Sequence, residues 1–351
     1  MELAKLGIGI IGSGGIARGA HLPGYQACAD RGVEIVACAD INREVAQRTA
    51  DEFGIPHVFD DYTQLLAMDE VDAVSICTPN YLHMQPTIDA LEAGKHVLVE
   101  KPLAMNSIEG KAMVEAGRRS GKKLQVGFMT RFNSAAQALK RFIDAGEMGE
   151  IYFARAQAMR RRGIPGWGVF TQKDKQGGGP LIDIGVHILD LTLWLMGHPK
   201  PTYCSGQTYA KFGHRSDVLG LLGQWDPSTF SVEDFAIGLI RFENGATLTL
   251  QSAFVANQEA RDHFDTELYG TEGGCSYNPC KMFFEKHRTL IDATPAFLPA
   301  VKTHEEEVKA FVDAILDDTE VPVTGEQALM TQQIIDAIYR SSEMGREVPV
   351  E

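Results

Sequence analysis

Leu6-Gly7-Ile8-Gly9-Ile10-Ile11-Gly12-Ser13-Gly14-Gly15-Ile16-Ala17 decides the fold of this chain. The first six residues are a short apolar run with β-branched members, the pattern of a buried parallel strand. The next six read G-x-G-x-x-A, the dinucleotide-binding fingerprint in its alanine form. In it Gly12 makes the tight turn, Gly14 lets backbone approach a pyrophosphate, and Ala17 lets helix pack on strand. The helix N-terminus then offers free N–H groups to the phosphates.

The context extends the motif. A second strand, Val33 to Ala39, ends at Asp40, where an acid binds the ribose hydroxyls of an adenine dinucleotide. An acid there favours NAD over NADP, although Arg43 is close enough in sequence to keep NADP open. The alternative for Asp40 is a cap on the next helix, Arg43 to Phe53. Strand–helix alternation continues through strands at 71–77, 96–99 and 124–129, with helices at about 86–93 and around 113–119. This is a doubly wound parallel α/β sheet, whose ligands bind beyond the carboxyl ends of the strands. Gly12, Asp40, Thr78, Pro79, Lys101 and Pro102 all fall at such ends. Pro102 restricts Lys101 to an extended backbone and is a candidate for a cis bond. Lys101 is read as a polarising or proton-donating group, against the alternative of a surface lysine paired with Glu100.

The second half changes pattern. A helix is expected from Ser134 to Ala145 and a strand from Ile151 to Ala158. Strands from Asp234 to Arg241 and from Ala246 to Phe254 are joined by Glu243-Asn244-Gly245, a hairpin signal. Further strands at 265–269 and 280–285 make a large open, mainly antiparallel sheet. Its outer face is a candidate for burial against another subunit. Helices are expected from His304 to Leu316 and from Gly325 to Met344. The expected domains are 1–128 and 129–351, with the last helix a candidate to pack back on the first domain. The loop at 160–180 holds Arg160-Arg161-Arg162, which fits a phosphate, a carboxylate or a solvated strand end. It also holds Trp167, a sugar platform or a packing residue. Directly after it, Gly177-Gly178-Gly179-Pro180-Leu181-Ile182-Asp183-Ile184-Gly185-Val186-His187-Ile188-Leu189-Asp190 opens an apolar helix. At 3.6 residues per turn, Asp183, His187 and Asp190 share one face. Ionisable groups on an apolar helix are costly unless solvated, paired or used.

The bulk composition limits the function classes. The 351 residues are too many for one ordinary domain, and 44% are hydrophobic. The net charge of −14, with no basic stripe, argues against nucleic-acid binding. No apolar run reaches membrane-spanning length and no leader pattern opens the chain, which predicts a cytoplasmic protein. The six cysteines Cys28, Cys38, Cys77, Cys204, Cys275 and Cys280 form no CxxC pair and read as buried thiols. No ligand cluster calls for a metal.

Together, Gly12–Ala17, Cys77-Thr78-Pro79-Asn80-Tyr81-Leu82-His83, Glu100-Lys101-Pro102-Leu103 and the Gly178–Asp190 stretch resemble the glucose-fructose oxidoreductase / inositol dehydrogenase / MocA family. The resemblance implies a Rossmann domain followed by an α/β domain, and NAD(P)-dependent oxidation or reduction of a sugar or cyclic polyol, inositol-like. It implies that Lys101, Asp183 and His187 form the catalytic group, and that members assemble as homodimers or homotetramers through the C-terminal sheet. The expected cofactor contacts are Gly12, Ser13, Gly14, Gly15, Ile16, Asp40, Thr78, Pro79, Asn80, His83, Glu100 and Lys101. Arg131, Trp167, Lys101, Asp183 and His187 are the expected substrate contacts. Two other readings remain: a glycosidase using NAD for transient oxidation, and an NAD- and sugar-binding regulator without chemistry.

Overall fold

The computed structural model describes residues 5–351. It divides into two compact units, Met1–Phe132 with Lys302–Leu329, and Asn133–Val301 with Met330–Glu351.

In the first unit, six short strands form one parallel sheet: β1 (Leu6–Ile11), β2 (Val33–Ala39), β3 (His57–Phe59), β4 (Ala73–Ile76), β5 (His96–Glu100) and β6 (Leu124–Gly127). Their order is β3-β2-β1-β4-β5-β6, the doubly wound order that reverses beside β1. Every residue of β1, β4 and β6 is buried, as expected for strands covered on both faces. The short β3 and the helix Tyr62–Leu66 were not foreseen, since three to five residues are too few to show a period.

The core of this unit is completed from far along the chain. The helix Thr303–Leu316 places Val308, Phe311 and Val312 against Leu22 and Tyr25. Gly24 permits the approach, because a Cβ there would lie 2.8 Å from Cβ of Val308. Val126 N–H donates to the Val323 carbonyl, which binds the returning segment beside β6. The returning helix is thus Thr303–Leu316. Past Leu329, the last helix (Gly325–Met344) belongs to the second unit.

The second unit is built on nine strands: β7 (Ile151–Arg160), β8 (Pro201–Tyr209), β9 (Phe235–Phe242), β10 (Thr247–Ala253), β11 (Asp262–Gly270), β12 (Gly273–Ser276), β13 (Lys281–Lys286), β14 (Thr289–Ala293) and β15 (Val348–Pro349). They run in the order β14-β13-β12-β11-β7-β10-β9-β8-β15, antiparallel except for β7 beside β10. The turn between β9 and β10 carries Gly245 at φ +85°, and the Asn244 side chain accepts from Ala246 N–H. β8, β12, β14 and β15 escaped the sequence reading, because their polar residues blur the apolar alternation.

The helix Val186–Leu195 packs against β7 and β11 and is buried at all but two positions. The helical stretch Lys173–Leu195 is long and apolar enough to cross a membrane by composition alone, yet its apolar window is 89% buried within the fold. The six cysteines are free and buried.

Gly206 and Gly238 face one another across β8 and β9, directly beneath Ile338 of the last helix. A Cβ on Gly238 would lie 2.7 Å from Cδ1 of Ile338. Gly238→Ala should therefore destabilise the protein by about 1–3 kcal/mol through overpacking. Ile338→Val, which removes that methyl, should recover part of the loss. Denaturant melts of the single and double variants test this, and a wild-type midpoint for Gly238→Ala would refute the close approach.

Candidate active site

In the first unit the carboxyl ends of β1, β2 and β4 open onto a cavity of about 530 Å³. Gly12, Gly14, Asp40, Ile41, Thr78 and Pro79 are among its lining residues. Gly12 is at φ +89°, and a Cβ there would meet the Cys77 carbonyl at 2.8 Å. Gly14 and Gly15 have open space where a Cβ would stand, so the backbone of the turn is accessible. A helix starts at Gly15 and runs to Gln26, with a π-turn over Ala17–His21. A bare glycine turn, a helix N-terminus and an acid at one cavity fit a dinucleotide.

Asp40 is held from two sides. Its Oδ2 accepts from Ser13 N–H at 2.9 Å and its Oδ1 from Asn42 N–H at 2.9 Å. The next helix is capped instead by Asn42, whose side chain accepts from Glu44 and Val45 N–H. Asp40 is left as a fixed acceptor at the cavity wall.

The π-turn carries His21 into the interior, where it is fully buried. Its Nε2 lies 2.9 Å from Glu100 Oε1 and its Nδ1 3.0 Å from Ser75 Oγ, which also meets Tyr25 Oη at 2.8 Å. Glu100 Oε2 accepts from Lys101 N–H, so the pair grips the backbone of the expected catalytic lysine. Burial opposes charge on both groups. The hydrogen bond and charge of His21, with smaller help from Lys101 and His304, still hold Glu100 down to about 2. The Cys77 sulfur and the Glu100 carboxylate together hold His21 well above its ordinary 6.5. Lys101-Pro102 is a cis peptide. The His83 ring lies between two carbonyls, Pro102 at 2.8 Å from Nδ1 and Thr78 at 2.9 Å from Nε2, and ties those two strand-end loops together.

In the second unit, residues 181–185 form a π-turn that runs straight into Val186–Leu195. The π-turn widens the spacing around Asp183, while His187 and Asp190 lie on the regular α-helix that follows. Asp190 is fully buried, Asp183 is 5% exposed, and His187 retains partial access. Arg160 Nη1 approaches Asp183 Oδ2 at 4.0 Å. The start of this helix is fixed by Glu233, whose buried carboxylate accepts from Gly179 N–H at 2.9 Å, Leu181 N–H at 3.2 Å and Tyr339 O–H at 2.9 Å. Burial raises Glu233 above the usual carboxylate range despite these bonds. The glycine run follows from this packing: a Cβ on Gly178 would overlap Tyr339 Oη, and one on Gly179 the Glu233 carbonyl.

A model of the Gfo/Idh/MocA oxidoreductases, with an NAD-binding Rossmann fold, matches residues 6–128, and the C-terminal domain of the same family matches residues 136–276. The chain belongs to the Gfo/Idh/MocA family. It is 35% identical to D-glucoside 3-dehydrogenase of Escherichia coli K12, over 99% of this chain and 98% of that one. It is 27% identical to scyllo-inositol 2-dehydrogenase (NAD(+)) of Bacillus subtilis, over 91% and 90%. Among solved structures, levoglucosan dehydrogenase in complex with NADH superposes with a TM-score of 0.87 at 25% identity, covering 99% of both chains. The protein is thus an NAD-linked dehydrogenase of this family.

Several expected contacts of this Gfo/Idh/MocA chain have other places. Ser13 is fully buried, with its N–H on Asp40 and its hydroxyl on the Ala39 carbonyl, so it sets the acid rather than facing the cavity. Glu100 and His83 are likewise interior braces. Arg131, expected on the substrate, is 2% exposed and donates to the Pro322 carbonyl and Gln327 Oε1, binding the returning segment to its own unit. Asn80 is buried, while Ile16 is exposed beside the turn. Trp167 is 56% exposed and meets Phe170 edge to face. Sequence reasoning missed Ile41, Asp60, Tyr62 and Tyr81, which also line the cavity. Ile41, 87% exposed directly after the strand-end acid, was the available signal.

Glu100 is held below its ordinary 4.5, so its contribution to stability is present above about pH 4.5 and is lost as pH falls toward 2. Glu100→Gln should lower the melting temperature at pH 6 by about 5–15 °C, because it leaves His21 buried without its counter-charge. The gap to wild type should narrow between pH 4.5 and pH 3. A gap that stays constant through that range would mean the carboxylate is not ionised in the fold.

Proposed function

We propose that this enzyme oxidises a secondary hydroxyl of a hexopyranoside with NAD as acceptor, with Lys101, Asp183 and His187 as the groups that handle the substrate. The observation that carries this reading is Asp183 and His187 held on a π-turned helix whose start is clamped by Glu233. A glucoside is favoured over an inositol by the 35% identity to D-glucoside 3-dehydrogenase, against 27% to scyllo-inositol 2-dehydrogenase. Asp40 and Asp60 both line the dinucleotide cavity, and Arg43 is tethered toward Asp60 at 3.8 Å. Two carboxylates there would repel a 2′-phosphate, which favours NAD over NADP.

When bound, the nicotinamide supplies the hydride acceptor. His187 takes the hydroxyl proton as general base, a role that its partial access to the substrate side permits. Asp183, beside Arg160, accepts a hydrogen bond from a neighbouring hydroxyl and fixes the sugar's orientation. Lys101 stabilises the developing alkoxide. Absorbance at 340 nm with NAD and then NADP, against glucosides and inositols, tests the reading. His187→Ala should lower kcat by about 10²–10⁴-fold with NAD affinity nearly unchanged. Full turnover in that variant would sink the proposed base, and a signal with inositols alone would overturn the glucoside.

The same reading includes assembly through the nine-stranded sheet, in a compartment that keeps the six buried thiols reduced, the cytoplasm. One face of the sheet carries the cross-strand row Tyr203, Arg241, Thr247, Phe153 and Tyr269, with Ile237 and Leu239 half-exposed beside it. Light scattering after size exclusion should give a dimer or tetramer, and Leu239→Asp should yield monomers. A wild-type monomer at micromolar concentration would refute this interface.

A further inference from the structure

The Arg160-Arg161-Arg162 run is only partly explained by the hydroxyl chemistry. Arg160 turns to Asp183, while Arg161 and Arg162 border a separate hollow of about 660 Å³ in the second unit. Arg215, Arg261 and Asn257 also line it, with Asp217 as its one carboxylate. Arg215 is neutralised by Asp217, which it meets at 2.7 Å and 3.0 Å, and Arg261 lies 3.7 Å from Asp262.

Arg161 and Arg162 are different. Arg162 is half-buried and braced by neutral acceptors alone: the carbonyls of Arg161 and Ala256 and the Asn257 side chain. Arg161 donates to the Glu259 carbonyl. Among the described residues neither guanidinium has a carboxylate within ion-pairing distance, in a chain with 47 acidic and 33 basic residues. Bonds to carbonyls fix direction without cancelling charge, so two oriented cations face a cavity. Part of the lining is apolar, with Leu219 64% and Leu221 45% exposed. Leu221 N–H donates to the Arg162 carbonyl, which sets an exposed leucine beside the guanidinium-bearing segment.

We propose that this hollow is an anion-recognition site for a small molecule that bears a phosphate or carboxylate next to an apolar portion. The fork of Arg162 and the neighbouring Arg161 take the oxyanion, and Leu219 and Leu221 cover the apolar part. The overall negative charge disfavours a nucleic-acid backbone as occupant. The anion has two possible sources, a charged aglycone on the sugar substrate or a separate effector.

Calorimetry of the full chain with inorganic phosphate tests the site without any need for turnover. Wild type should bind in the range of roughly 1 mM, more weakly as sodium chloride is added. Arg161→Gln should weaken binding about 3-fold, and Arg161→Gln with Arg162→Gln at least 10-fold. Because Arg162 also braces its loop, the single Arg161 variant keeps the result readable if the double variant is unstable. No binding by wild type at roughly 20 mM phosphate, or equal binding in the variants, would overturn the proposal. Turnover then separates the sources. A KM for 4-carboxyphenyl glucoside below that for phenyl glucoside, equalised by Arg161→Gln, marks the anion as part of the substrate. Equal KM values, with phosphate altering the rate on the neutral glucoside in wild type alone, mark an effector.

Discussion

A carboxylate removed from water must be surrounded by donors or by positive charge, and two such groups organise this protein. Glu100 meets the requirement with a buried imidazole and a backbone N–H, in the unit that holds the dinucleotide cavity. Glu233 meets it with two backbone N–H groups and a phenol, in the unit that holds Asp183 and His187. In both cases the backbone N–H donors belong to the segment whose conformation matters for chemistry. Satisfying the charge and positioning the segment are one event. The geometry is correspondingly intolerant, since a partly satisfied buried network is worse than an apolar one.

The two π-turns belong to the same arrangement. One sends His21 inward to Glu100; the other lies between the Glu233 clamp and His187. A π-turn is less stable than the α-helix it interrupts and persists only where surrounding contacts fix it. Here these contacts include Ser252 Oγ donating to the Pro180 carbonyl, and the glycines that leave no room for a Cβ.

The sequence made the fold legible where pattern is local. β1, β2, the fingerprint, the hairpin at Gly245 and the apolar helix ending at Gly197 all derive from period, turn chemistry and capping. The hidden part is non-local. Nothing in Arg131 announces that its partners lie near residue 325, and a lone arginine after a strand reads as a ligand group. The π-turns were invisible because an α-helix is the default for any apolar run with helical spacing. The Glu233 clamp was hidden as well, since a Glu before a strand carries no sign of the glycines 50 residues earlier that it holds.

The discontinuity of the first unit bears on how the chain is made. Val308, Phe311 and Val312 belong to the same core as Leu22 and Tyr25, but the ribosome delivers them nearly three hundred residues later. During synthesis the nucleotide-binding sheet must wait with one flank uncovered while eight of the nine strands of the second sheet emerge. Vectorial folding therefore cannot finish the domains in the order they are written. Through that interval the apolar surface around Leu22 and Tyr25 is a natural station for chaperones, and it closes only when the returning helix arrives.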